Sequence, residues 1–295
     1  MNNLKDFISP VCTLCPNNCK IDRRNAFGSC GAGDKIKIAK YYLHPFEEPI
    51  ISGKNGSGTI FFCGCSLKCV FCQNYSLSRN ERGKEIAVSE LANIFKELEN
   101  MGATNINLVT PTQYADKICD ALDIYRPNIP IVYNTHGYEK IEVLEKIDDY
   151  VDIYLPDLKY CSPDVSFRYT GKKNYFEVAS KAIEFMAKKP LIFNDDGTLK
   201  SGTLVRHLVL PQNVNDSQNI LTWFSESGVK DSAYINVMSQ YTPFGDLSNF
   251  PELNRKITKR EYEKVIDYAI SLNIKNMFYQ KYSSSGTEYI PTWDF

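Results

Sequence analysis

From residue 59 onward, short apolar runs rich in β-forming residues alternate with amphipathic stretches of helical spacing, and nothing else in this sequence restricts its fold as tightly. Parallel strands need a crossover between them, and a helix supplies it, so the alternation specifies βα units around a parallel sheet. Six strands are expected, at 59–63, 106–110, 130–134, 151–155, 204–210 and 234–238. After the first, Ser89 is placed to cap a helix whose apolar face is Leu91, Ile94, Phe95, Leu98 and Met101, with Gly102 as the stop. After the second, Ala115, Ile118, Leu122 and Tyr125 share a face that Pro127 ends. Shorter helices are expected at 140–148, 175–188 and 217–226, and the last opens with Thr258 and Glu261 in capping-box register. Right-handed crossovers then predict an α/β chain built as a partial (β/α)6 TIM-like barrel, with an open doubly wound sheet as the alternative.

Residues 1–58 follow neither periodicity and are expected to form a small cysteine-rich, metal-binding extension ahead of a barrel at 59–282 and a tail at 283–295. Lysine and arginine number 34 against 35 aspartates and glutamates, which argues against a generally basic surface for nucleic acid or anionic membrane. No run approaches 18 apolar residues, and the first residues lack the basic and apolar regions of a signal peptide. A cytoplasmic location is expected, where clustered cysteines bind metal or do chemistry rather than pair as disulfides. Of ten cysteines, eight fall within the first 72 residues, which makes them the chemical signal of the chain.

Cys65, Cys69 and Cys72 stand at C-x3-C-x2-C spacing on the loop that leaves the first strand, at the strand end where α/β folds place their chemistry. A [4Fe-4S] cluster takes four thiolates when saturated, so three close ligands leave one iron open to an exchangeable partner. Zinc or buried free thiols are the alternatives. Four earlier cysteines, Cys12, Cys15, Cys19 and Cys30, suffice to close a site completely, as a second [4Fe-4S] cluster or as zinc, for structure or electron relay.

The triad, with Phe71 just before its last cysteine, resembles the signature of the radical S-adenosylmethionine (SAM) superfamily. The segments GSGTIFFCGCSLKCVFCQNY, INLVTPTQ, IVYNTHGYE, DIYLPDLKY, RHLVLP and NVMSQY are similar to the pyruvate formate-lyase activating enzyme-like branch, and the likeness runs from about residue 12 to about 280. It implies an oxidoreductase in which the open iron chelates SAM and one electron cleaves the sulfonium to methionine and a 5'-deoxyadenosyl radical. That radical abstracts hydrogen from a protein, peptide or small-molecule substrate, with activation of a glycyl-radical enzyme among the options. An electron donor such as flavodoxin or ferredoxin is implied as partner. The competing class is a non-catalytic iron-sulfur carrier, which would normally saturate its cluster and would need no barrel.

Strand ends supply the other candidates. Phe71 is a candidate cover for the adenine. Thr110, Pro111 and Thr112 stand where superfamily members present Gly-Gly-Glu-Pro to the SAM amino group; this chain departs from that pattern, leaving only carbonyl and hydroxyl acceptors. Asn134 and His136 follow the third strand, where the similar stretch of activating enzymes helps bind ribose or a cation. Asp157 and Lys159 resemble an Asp-x-Lys segment whose lysine meets the cofactor carboxylate. Arg206 and His207 compete on the fifth strand, and alternation requires that one of them face the interior. Met238 is a candidate adenine wall. Among the remaining thiols, Cys63 and Cys161 are weak catalytic candidates, whereas Cys119 falls on an apolar helix face.

Overall fold

A computed structural model of the chain describes residues 11–282, so the expected tail at 283–295 lies outside the described residues. The order of elements is β1 (Ile36–His44), α1 (Pro49–Ser52), β2 (Ser57–Phe62), α2 (Tyr75–Ser78), β3 (Lys84–Ile86), α3 (Val88–Asn100), β4 (Ile106–Val109) and α4 (Ala115–Ile124). Then come β5 (Ile131–Thr135), α5 (Ile141–Ile147), β6 (Ile153–Pro156), α6 (Pro163–Thr170), α7 (Tyr175–Met186), β7 (Ile192–Phe193) and β8 (Leu199–Leu208). The chain continues through α8 (Val214–Glu226), α9 (Val229–Ser232), β9 (Tyr234–Met238), α10 (Lys259–Ser271) and β10 (Met277–Tyr279).

The sheet runs β10-β9-β8-β6-β5-β4-β2-β1-β3, and every neighbouring pair from β2 to β10 is parallel. Sequence order and spatial order coincide across that stretch, so the strand order never reverses and the doubly wound alternative is excluded. No pairing among the described residues joins β10 to β3, which leaves the barrel partial. All six expected parallel strands are present. A short seventh, β10, was missed because three residues are too few to show a periodicity.

The helices follow their apolar faces. Helix α3 buries Leu91, Ala92, Ile94, Phe95 and Leu98, and α4 buries Ala115, Ile118, Cys119, Ala121 and Leu122. Ser89 is not the cap of α3: the helix begins at Val88, and the Glu90 carboxylate accepts the Ala87 N–H at 2.7 Å, which meets the need the serine was expected to meet. Thr258 and Glu261 do form the expected capping box of α10. Helix α6, short and opened by Pro163 after the Ser162 cap, was not anticipated.

Strand β1 pairs antiparallel with β2, placing His44 opposite Ser57 at the end where the parallel strands begin. The chain then turns inward as α1. Fully buried Ile51 packs with Val132, Ile153, Leu155 and Leu204 from three adjacent barrel strands. That contact blocks the lower end of the barrel and carries Glu47 and Glu48 into its interior, leaving the opposite end, where the cysteine loop lies, for chemistry.

Candidate functional site

The loop after β2 begins with a forced turn. Gly64 has φ +86, and a Cβ there would stand 2.8 Å from the Cys30 carbonyl oxygen, so only glycine lets the N-terminal segment lie this close. The adjoining Cys65 N–H donates to that same carbonyl at 3.0 Å. Cys65, Cys69 and Cys72 all open onto one cavity of about 270 Å³. They are uncrosslinked and lie within electrostatic reach of one another. Burial pushes the Cys65 and Cys69 thiols up to about 11. They hold their protons at neutral pH until a metal displaces them.

Opposite the thiols, the barrel interior is polar and paired. Arg206 donates from Nε to Asp157 at 2.9 Å, from Nη1 to Glu47 at 2.9 Å and from Nη2 to the Asn134 side chain at 2.7 Å. Glu47 also accepts from Asn107 at 2.9 Å, and Glu48 from Asn236 at 2.6 Å. Lys159 Nζ lies 2.6 Å from the second oxygen of Asp157. Burial alone would raise the Asp157 pKa, but the Arg206 and Lys159 charges outweigh it and hold the carboxyl below the usual range. Lys159 stays cationic: Asp157 and then Cys69 oppose the desolvation that would neutralise it. A fixed positive charge thus faces the thiols, ready for an anionic group placed between them.

His136 also lines the cavity. Its Nδ1 accepts the Tyr138 N–H at 3.1 Å, so its Nε2 carries the proton and donates to Ser66 Oγ at 2.8 Å, beside Cys65. Burial, helped by the Lys159 charge, lowers its pKa to about 3 and keeps it neutral. Thr110, just after β4, has φ +58, a left-handed conformation that a β-branched residue adopts only under constraint. Its carbonyl accepts the Gln113 side-chain amide at 2.8 Å, and the same amide reaches the Cys63 and Gly64 carbonyls at 3.1 Å. Gln113 therefore ties the strained strand end to the base of the cysteine loop.

Among the expected residues, Phe71, Thr110, Asn134, His136, Asp157, Lys159, Arg206 and Met238 line the cavity with the triad. Pro111 and Thr112 do not: the Thr112 hydroxyl turns away and donates to Glu139 at 2.5 Å, because the chain after Thr110 coils into a 3-10 turn. His207 points out of the barrel, with Nδ1–H donating to the Leu158 carbonyl at 2.8 Å and Nε2 accepting from Ser217 at 2.9 Å. Alternation along β8 gives the interior to Arg206 instead. Neither Cys63 nor Cys161 reaches the cavity. Cys63 is fully buried with its thiol donating to the Arg82 carbonyl at 3.1 Å, and the Cys161 side chain packs against the α8 side of the core.

The quartet gathers beside the triad rather than on the cavity: Cys15 feels the charge of Cys30 and Cys12, and Cys30 that of Cys12 and Cys19. Among the described residues, no three His, Cys, Asp or Glu side chains close tightly around a single ion. A cluster takes each thiolate on its own iron and does not ask for that convergence, so the triad, uncrosslinked and open on one side, suits a cluster with a free corner. His44, Phe46 and Glu47 also line the cavity and were not foreseen. They belong to a segment in which the sequence shows no periodicity.

The sequence profile of the Radical SAM superfamily matches residues 59–237. An uncharacterized protein of Methanocaldococcus jannaschii is 31% identical over 89% of this chain and 75% of its own length. A pyruvate formate-lyase-activating enzyme of Clostridium pasteurianum is 25% identical over 60% of this chain and 72% of its own. Among solved structures, Streptococcus suis SuiB bound to the precursor peptide SuiA superimposes with a TM-score of 0.48 at 16% identity, covering 74% of this chain. SuiB without the peptide gives 0.45 at 17% identity over 76% of it. The chain spans less than half of those two structures, 46% and 47% of their lengths.

Proposed function

The chain belongs to the radical SAM superfamily, and from that premise we propose that it cleaves SAM reductively at a [4Fe-4S] cluster held by Cys65, Cys69 and Cys72. The observation that carries this reading is the meeting of three uncrosslinked thiols from one loop with the buried Lys159 cation across a single cavity. When bound, the cluster supplies one electron to the SAM sulfonium, which yields methionine and a 5'-deoxyadenosyl radical able to take a hydrogen atom from a substrate.

The chain's own residues do the rest. Lys159 holds the SAM carboxylate, and Asp157, fixed by Arg206, orients Lys159. The strained Thr110 turn presents backbone acceptors to the SAM amino group, in the place of the carboxylate that relatives of this superfamily offer. Phe71, held edge-on by Tyr241 at 5.6 Å and Tyr169 at 6.1 Å, and Met238 wall the adenine. Asn134 and His136 stand on the ribose side. Ile51 and the Glu47–Arg206 lattice close the floor against water.

For the substrate we favour a protein or peptide, with glycyl-radical activation as the leading case. Support comes from the Clostridium pasteurianum relative, which is named an activating enzyme of pyruvate formate-lyase, an enzyme acting on a protein. A small one-electron carrier such as flavodoxin or ferredoxin serves as donor. The quartet holds a second cluster in a closed site. Anaerobically loaded protein given dithionite and SAM is expected to form methionine and 5'-deoxyadenosine; absence of both products with the cluster intact contradicts the reading.

A further inference from the structure

We propose that the Tyr160 hydroxyl donates a hydrogen bond to the Cys69 thiolate and thereby raises the reduction potential of the cluster at the triad. This rests on the reading of Cys65, Cys69 and Cys72 as the cluster ligands. The hydroxyl lies 3.6 Å from Cys69 Sγ, within reach for an acceptor as large as sulfur. Tyr160 is fully buried, and it follows directly on the Asp157–Lys159 segment that faces the same thiols. Its ring is wedged edge-on against Tyr175 at 5.3 Å and tilted against Tyr169 at 6.1 Å. Tyr175 is in turn anchored: its hydroxyl accepts the Lys159 N–H at 3.0 Å and lies 2.8 Å from the Asp157 carbonyl. The phenol of Tyr160 cannot swing toward another partner, and leaving it unpaired in the core would be unfavourable.

A hydrogen bond to Cys65 in the same triad is of a different kind. Cys65 Sγ accepts the Leu67 N–H at 3.4 Å from within the cysteine loop itself, as any chain with this loop geometry would provide. Tyr160 comes from outside the cysteine loop, on the chain that follows β6 and in the core that packs against Cys69, so the residue type at that position decides whether Cys69 has a donor. A thiolate on iron carries negative charge that grows when the cluster is reduced, and a donor aimed at it stabilises the reduced form. A protein that must pass an electron to the SAM sulfonium draws it from a soluble carrier, and this hydrogen bond makes the cluster easier for that carrier to reduce.

Tyr160→Phe keeps the ring and its burial and removes only the O–H. In an EPR-monitored redox titration of the signal that changes on adding SAM, the reduced-to-oxidised ratio at fixed potential is expected to fall about tenfold, or about 59 mV for a one-electron couple. An unmoved midpoint in the loaded variant overturns the proposal. If the variant retains no iron, the unmutated chain grown on ring-fluorinated tyrosine decides. A more acidic phenol donates more strongly and is expected to raise the midpoint, and no rise overturns the proposal. A triad that takes up no iron in the unmutated protein removes the underlying reading too, whereas a loaded triad with an unmoved midpoint removes this inference alone.

Discussion

The quartet of Cys12, Cys15, Cys19 and Cys30 and the triad of Cys65, Cys69 and Cys72 touch through a hydrogen bond, Cys65 N–H to the Cys30 carbonyl at 3.0 Å. Yet they are built for different work. The triad lines the cavity, faces Lys159 and has one ligand too few to close a cluster. The quartet lies outside the cavity, has enough thiols to close its site, and leaves Cys12 and Cys19 half-buried toward the surface. Thiol chemistry is the same in both; ligand count and access to the cavity are what differ. On the proposed reading, chemistry belongs to the group with the open corner, and the closed group serves the loop that carries it.

The sharpest way to break that division is to remove one ligand from each side. Cys69→Ala is expected to abolish SAM cleavage, whereas Cys19→Ala is expected to lose the quartet's metal and still cleave SAM. Iron and zinc analysis alongside product assays reads both, and loss of cleavage in neither variant would show the triad to be misassigned.

A smaller effect lies at the strand ends behind both groups. Glu139 is buried, accepts the Thr112 and Thr135 hydroxyls, and is felt by Cys15. Burial raises its pKa from 4.5 to about 7, against the two hydroxyl bonds that lower it. The folded chain therefore holds a proton that the unfolded chain releases as pH rises from 4.5, and stability from this group falls across that window until pH passes 7. Glu139→Gln is expected to match the wild type at pH 4 and to exceed it by about 3 kcal/mol at pH 8. Urea unfolding at both pH values checks this, and parallel curves for the two proteins would count against it.

The smallest expected effect tests the bridge itself. Gly64→Ala puts a Cβ 2.8 Å from the Cys30 carbonyl and forces a left-handed alanine. It is expected to destabilise the metal-free chain by about 2 kcal/mol in chemical denaturation. Amide exchange should quicken at 28–33 and 64–67 together; exchange that quickens at one segment alone would mean that the two groups are not mechanically joined.

Much of this was legible in the sequence, for reasons that differ by residue. The six parallel strands announced themselves because a strand buried on both faces must be apolar along its length, and the triad because its spacing on a post-strand loop has few other uses. Arg206 and His207 show the limit. Alternation required one of the two to face inward, but only the pairing of β8 with β6 and β9 decides which. Thr112 was misjudged because the 3-10 turn that rotates it away depends on Gln113 gripping Thr110, a contact between side chain and backbone that leaves no periodic trace. Glu47 was invisible for a similar reason. It reaches the site because Ile51 anchors α1 inside the barrel, and nothing in the local sequence says that a segment before the first parallel strand turns back beneath it.

The central claim is that the triad holds a cluster with one iron free to bind SAM, and Mössbauer spectroscopy of iron-57-loaded protein tests it most directly. Adding SAM should change the signal of one iron in four of the triad's cluster and leave any iron at the quartet unaltered. A spectrum that SAM leaves unchanged, from a triad fully loaded with iron, would contradict the account.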